Sequence, residues 1–221
     1  MPKTKAKIFF FKGGTSLHLV YKSPRFSEDL DFTVQMKEKE FLNFIQKILL
    51  KLSKKENFNF KEKKSIAGKK FLLIFKPLLL SYEIFINLDF SFGEKVLEPQ
   101  KSIIETNFPI IFTSYIYHLS KEEIFAEKIR ALLTRFKGRD LYDLWFLLSQ
   151  GVFLKKDLVR EKLKYCHLEK ITKEKILERI KKCSKRNFIL DVRPFVSADQ
   201  RSKLGEFFDY IQKYLEKNLS F

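Results

Sequence analysis

Asp29 and Asp31 stand two residues apart in the run Asp29-Leu30-Asp31-Phe32. In a strand that spacing turns both carboxylates to one face. Upstream lies a Gly13-Gly14-Thr15 turn, with Thr15 fourteen residues before Asp29. Paired carboxylates hold hard divalent cations through oxygen, and glycines let backbone N–H groups approach phosphate. The chemistry to expect of such a pattern is that of a Mg²⁺–triphosphate site.

A third carboxylate should come from a neighbouring strand. In Tyr82–Phe90, the residues Glu83, Phe85, Asn87 and Asp89 share one face by parity. Asp89, close to the Ser91-Phe92-Gly93 exit, is the favoured member, with Glu83 as its substitute. Lys128 interrupts the apolar stripe of a helix that carries Ile124, Phe125, Ile129, Leu132, Leu133 and Phe136. Either it snorkels to the surface, or its ammonium faces a cleft and binds triphosphate. Asp140 and Asp143 open the next helix. They read either as cap and first-turn companion or as buried carboxylates that need partners, with Arg130, Arg139 and Lys128 as candidates. Arg135, Lys137 and Arg139 form a basic break that suits either an RNA backbone or plain solvent. His18 and His118 have no catalytic context, and no P-loop, nucleophile elbow or metalloprotease helix is present.

These residues need elements to hold them. Ile8–Phe11 reads as a strand, Thr15–Tyr21 as a short helix, and 29–34 as a second strand. Residues 37–55 form an amphipathic helix with Phe41, Phe44, Ile45, Ile48, Leu49 and Leu52 on one side. Strands follow at 58–63, 70–75 and 81–92. From Ser120 the pattern is helical. Ser120–Glu123 is a capping box, with Gly138 as the stop of its helix. Further helices fit 141–149, 155–165 and 173–183. Ser197–Gln200 is a second capping box, opening a last helix. The fold class is α+β: a mixed sheet with helices, then a helical C-terminal domain. The boundary divides 1–105 from 106–221, in the stretch that contains Pro99 and Pro109.

Composition sets the bounds. The chain has 221 residues, 45% of them hydrophobic, with 25 Phe and a net charge of +17. That is enough apolar material for a core. The charge favours a polyanionic partner, although a lysine-rich proteome would produce it too. Cys166 and Cys183 match no zinc or redox spacing. No signal sequence and no apolar run long enough to span a bilayer is visible, so the chain reads as cytoplasmic, with no membrane partner.

Four blocks carry a family resemblance: KGGTSL at 12–17, RFSEDLDF at 25–32, NLDFSFGEKVLEP at 87–99 and AEKIRALLTRFKGRDLYDL at 126–144. With them the chain resembles the AbiEii/AbiGii nucleotidyltransferase-like toxins, within the polymerase-β-like nucleotidyltransferase superfamily. The resemblance implies a nucleotidyltransferase core followed by helices. It implies metal binding by Asp29, Asp31 and Asp89, phosphate contacts from Gly13, Gly14 and Thr15, and catalytic roles for Lys128 and Asp140. Lys128 is expected beside the nucleotide as well. It further implies Mg²⁺ or Mn²⁺, an NTP substrate, an RNA acceptor (tRNA first), and an antitoxin encoded nearby in a toxin–antitoxin or phage-defence system. Family members often carry additional N-terminal helices, whereas only eleven residues precede Lys12 here. Two other readings stand beside this one: NMP transfer to a protein hydroxyl, and a non-catalytic RNA-binding module on the same fold.

Overall fold

A computed structural model describes residues 8–65, 68–106, 114–168 and 172–219. Pro109, one of the two prolines near the expected boundary, lies outside the described residues. The chain divides into two units. One comprises Met1–Val20 and Ser27–His118, and the other Tyr21–Phe26 and Leu119–Phe221.

The first unit runs β1 (Phe9–Lys12), α1 (Gly13–Leu19), β2 (Leu30–Val34), α2 (Glu38–Glu56), β3 (Phe58–Lys63), β4 (Lys69–Phe75), β5 (Ile84–Phe92), β6 (Pro99–Ser102) and β7 (Ile116–Leu119). The described strands form one sheet in the order β3-β4-β5-β2-β1-β7-β6. It is mixed: β2 and β5 run parallel, as do β1 and β7, and the other registered pairs are antiparallel.

Strict alternation splits this sheet into two chemistries. Val34, Phe71, Leu73, Leu88 and Phe90 turn to one face and pack against Phe41, Ile45 and Leu49 of α2. Each fully buried side chain of this kind contributes about 1.5–3 kcal/mol. Phe90 lies 4.7 Å from Phe41 and stacks on Phe32 at 5.5 Å, which is where the heavy Phe usage goes. Glu38 and Glu40 at the start of α2, with Lys54 and Lys55 at its end, oppose the helix dipole favourably. The helix stops at Asn57, which takes the left-handed conformation. The intervening positions, Asp31 and Asp89 among them, belong to the other face.

The second unit contains α3 (Lys121–Thr134), α4 (Gly138–Ser149), α5 (Lys156–Lys164), α6 (Lys173–Lys181), α7 (Lys185–Val192) and α8 (Leu204–Asn218). Residues 21–26 belong to it. The Tyr21 hydroxyl donates to the Leu119 carbonyl, and the Phe26 N–H donates to the Phe195 carbonyl. Ser120 caps α3 by accepting from the Glu123 N–H. Lys162 of α5 is fully buried, 2.6 Å from Glu123 and 3.2 Å from Glu127 of α3. A cation there needs both carboxylates.

Several expectations are corrected. Gly138 does not stop α3. That helix ends at Thr134, and Phe136 takes the left-handed turn instead (φ 55°), its ring beneath the Arg179 guanidinium. Gly138 opens α4 and must be small, because a Cβ there would stand 2.7 Å from the Phe188 Cα. Ser197–Gln200 is no capping box. It leads into a 3₁₀ turn, Ala198–Lys203, without a side-chain cap to the backbone, and α8 starts only at Leu204. The strand expected from Ser81 begins at Ile84, which leaves Glu83 outside it. Strands β6 and β7 and helix α7 were not anticipated.

Candidate active site

The tetrapeptide Asp29-Leu30-Asp31-Phe32, which enters β2 at Leu30 rather than at Asp29, nearly repeats as Asn87-Leu88-Asp89-Phe90 in β5. The two strands pair in parallel with Leu30 beside Leu88, Asp31 beside Asp89 and Phe32 beside Phe90. The Leu and Phe residues face α2, so Asp31 and Asp89 lie side by side on the opposite face. One step earlier, the Asn87 amide donates to the Asp29 carboxylate at 3.0 Å. The parity argument thus leads to a polar row of Asp29, Asn87, Asp31 and Asp89.

Three neighbours fix this row. Lys70 pairs with Asp89 across β4 and β5, and its ammonium reaches the carboxylate at 2.6 Å. The Thr15 hydroxyl donates to the Asp29 backbone carbonyl. Gly13 sits under Asp31, with φ at +75°, and a Cβ placed on it would fall 2.1 Å from Asp31 Oδ2. Only glycine both adopts that conformation readily and leaves the carboxylate its room. Gly14 and Thr15 are buried in the same turn.

Among the described residues, no three His, Cys, Asp or Glu side chains converge closely enough to enclose a metal ion. Asp29 is turned to Asn87 and Asp89 to Lys70. The donor set nevertheless suits a hard divalent cation, being carboxylate oxygens from adjacent registers on one face. The Lys70 ammonium shows that positive charge is already accommodated beside Asp89. An apolar hollow of about 560 Å³ in the same unit is lined by Leu30, Phe32, Leu88 and Phe90. It lies on the other sheet face, away from these carboxylates.

The second unit holds a buried charge cluster of its own. The Lys128 ammonium lies 2.7 Å from Asp143 and 3.1 Å from Asp140. Arg25 grips both oxygens of Asp143, at 2.6 Å each, and Arg135 grips both of Asp140. Three cations, Lys128, Arg25 and Arg135, thus meet these two carboxylates. Lys128 does not snorkel; it is 6% exposed. Of the partners expected for the two aspartates, Lys128 is present. Arg139 is not, because its guanidinium lies over the Phe195 ring. Arg25 and Arg135 take the remaining places.

Burial alone would raise the Asp140 pKa, but Lys128 and Arg135 outweigh it and hold the group at about 2, against an ordinary 3.8. Asp143 is lowered as well: burial opposes the shift, and Arg25 and Lys128 overcome it. A depressed folded-state pKa gives stability that is present above the unfolded value and lost as pH falls through the folded one. For Asp140 the window runs from about pH 4 down to about pH 2, and the contribution is about 2 kcal/mol. Denaturant melts across that range should show the loss, and Asp140→Asn should flatten it.

The structure therefore places Asp29, Asp31, Asp89, Gly13 and Thr15 along one stretch of the first unit, without the three carboxylates converging on a point, and pairs Lys128 with Asp140 in the second. Residues that sequence reasoning missed are Lys70, Arg25, and Asn87 as a partner of Asp29. A signal for Arg25 existed: it opens the RFSEDLDF block, and its partner Asp143 lies in the GRDLYDL block.

A mixed sheet of this kind followed by helices recurs in solved structures. Two solved structures share it. JHP933 from Helicobacter pylori aligns with a TM-score of 0.55 at 23% identity, over 96% of this chain and 87% of that one. MenT4, a nucleotidyltransferase toxin from Mycobacterium tuberculosis H37Rv, aligns with a TM-score of 0.57 at 19% identity, over 93% of this chain and 75% of that one. At such identities the likeness speaks for the fold. A search of curated proteins by sequence finds no match. The family model described as Nucleotidyl transferase AbiEii toxin, Type IV TA system, matches residues 2–211, and the chain belongs to that family. It is a nucleotidyltransferase toxin, and its family implies an NTP substrate and a cognate antitoxin. No described helix is long and apolar enough to cross a membrane.

Proposed function

We propose that the protein transfers an NMP from an NTP to the 3′ end of an RNA, tRNA first, with Mg²⁺ as the metal. The observation that carries this reading is the in-register pairing of Asp31 with Asp89, with Asp29 one step earlier on the same face. Mg²⁺ (or Mn²⁺) held by Asp29, Asp31 and Asp89 would supply Lewis-acid polarisation of the phosphate. The acceptor hydroxyl gives up its proton to solvent as its oxygen attacks the α-phosphorus, and the bond to the bridging oxygen breaks to release pyrophosphate.

The chain's own residues have the following roles. Asp31 and Asp89 set the spacing of the carboxylates through the sheet register. Thr15 and Asn87 orient Asp29, one through its carbonyl and the other through its carboxylate. The Gly13 and Gly14 amides meet phosphate oxygens. Lys70 exchanges Asp89 for a phosphate when a cation takes its place. Lys128 and Asp140 keep the catalytic roles that the family resemblance implies, with Asp140 positioning Lys128. The net charge of +17 supports an RNA acceptor. Capping tRNA ends in the cytoplasm would block translation, as a toxin or a phage-defence protein needs.

The test is label transfer. The protein and Asp29→Ala are each given Mg²⁺, total tRNA and one α-labelled NTP at a time. Label should appear on tRNA and fall at least about a thousandfold in the variant. Label on protein would instead make a protein hydroxyl the acceptor. An Asp29→Ala variant as active as the wild type would sink the assignment of the site.

A further inference from the structure

Trp145, the chain's single tryptophan, lines a pocket of about 270 Å³ in the helical unit. The pocket is framed by Tyr142 and Trp145 of α4, Phe207 of α8, and Pro24. Gln200 and Lys203 stand at its rim, both exposed. The three rings meet edge to face. Trp145 is 4.7 Å from Phe207 at 87°, and Tyr142 is 5.4 Å from Trp145 at 75° and 5.7 Å from Phe207 at 65°. None of the three is stacked flat on another, so a flat guest would not displace an existing stack among them. The Trp145 indole N–H is buried and has no acceptor among the described residues.

We propose that this pocket takes one unstacked nucleobase of a single-stranded stretch of the RNA acceptor. The inference rests on the reading of RNA as acceptor given above. The volume lies just below the usual range for small-molecule sites, about 300–1,000 Å³, and so suits one ring system and not a dinucleotide. Aromatic walls offer stacking, which every base accepts. The Gln200 amide can pair with a base edge, and the Lys203 ammonium suits the adjoining phosphate. The charge at the rim and the net charge of +17 favour a polyanion over an apolar peptide side chain. A base in a duplex is held in its stack, so the site selects single-stranded segments.

Because Trp145 is the only tryptophan, its emission reports on this pocket directly. The full chain is titrated with a single-stranded oligoribonucleotide, with an abasic oligomer of the same length, and with inorganic polyphosphate as a charge-only control. The expected result is saturable quenching by the base-bearing oligomer alone. Phe207→Leu keeps the site apolar and removes a stacking ring; it should weaken that binding between about fivefold and a hundredfold. Anisotropy of a labelled oligomer gives an independent affinity. Binding with unchanged emission, or with equal affinity in Phe207→Leu, overturns the pocket and leaves the RNA reading intact. No RNA binding at all overturns both, whereas the label-transfer assay still decides the Asp29 site by itself.

Discussion

Asp143→Ala is expected to destabilise the protein by about 3–5 kcal/mol, the largest effect of any single substitution considered. The Asp143 side chain is completely buried, and Arg25 beside it is 2% exposed. Removing the carboxylate leaves the guanidinium without its bidentate partner and takes from Lys128 its nearer counter-charge, at 2.7 Å. Neither cation can retreat to water without opening the helical unit. Urea melts of the single variant and of the double variant Arg25→Met/Asp143→Leu would check this. The double variant should lose much less than the sum of the two single losses, because the stranded charge is gone from both sides. Additive losses would mean that the pair is not coupled.

Gly13→Ala should separate activity from stability. An L-residue held at a φ near +75° costs about 1–2 kcal/mol, which the fold should tolerate. The new Cβ would meet Asp31 Oδ2 at 2.1 Å and Cγ at 2.9 Å. The atoms in the way are the far end of a side chain, so the carboxylate swings aside and the backbone stays. Misplacing a catalytic group by about 1 Å costs on the order of a hundredfold in rate. Transfer should therefore fall about a hundredfold or more while the melt shifts modestly. Full transfer activity in Gly13→Ala would mean that Asp31 is not needed where it stands.

The polar row of the sheet was legible because strand parity is a local property. Asp29 and Asp31 had to share a face, and so did Asn87 and Asp89. That the two pairs are neighbours followed only once β2 met β5, and the repeated x-Leu-Asp-Phe pattern suits that register. The partners of the buried charges were harder. Arg25 and Asp143 are 118 positions apart, and no local periodicity links them. Lys70 looked like any strand lysine until β4 brought it opposite Asp89. Capping patterns misled in both directions. Ser197-Ala-Asp-Gln200 has the spacing of a box and makes a 3₁₀ turn, whereas Ser184 lacks the acidic fourth residue and still caps α7. β6 and β7 have four residues each, too few for alternation to stand out.

The segment Tyr21–Phe26 belongs to the helical unit although residues on both sides of it belong to the other. During synthesis, Arg25 therefore leaves the ribosome more than a hundred residues before the carboxylate that will neutralise it. The first unit can pair its strands while that guanidinium still waits in water. The helical unit is different: a fragment starting at Leu119 would contain every one of its long helices and still lack the arginine that closes its charge cluster. A cut at the boundary near Leu119 would thus part Arg25 from Asp143.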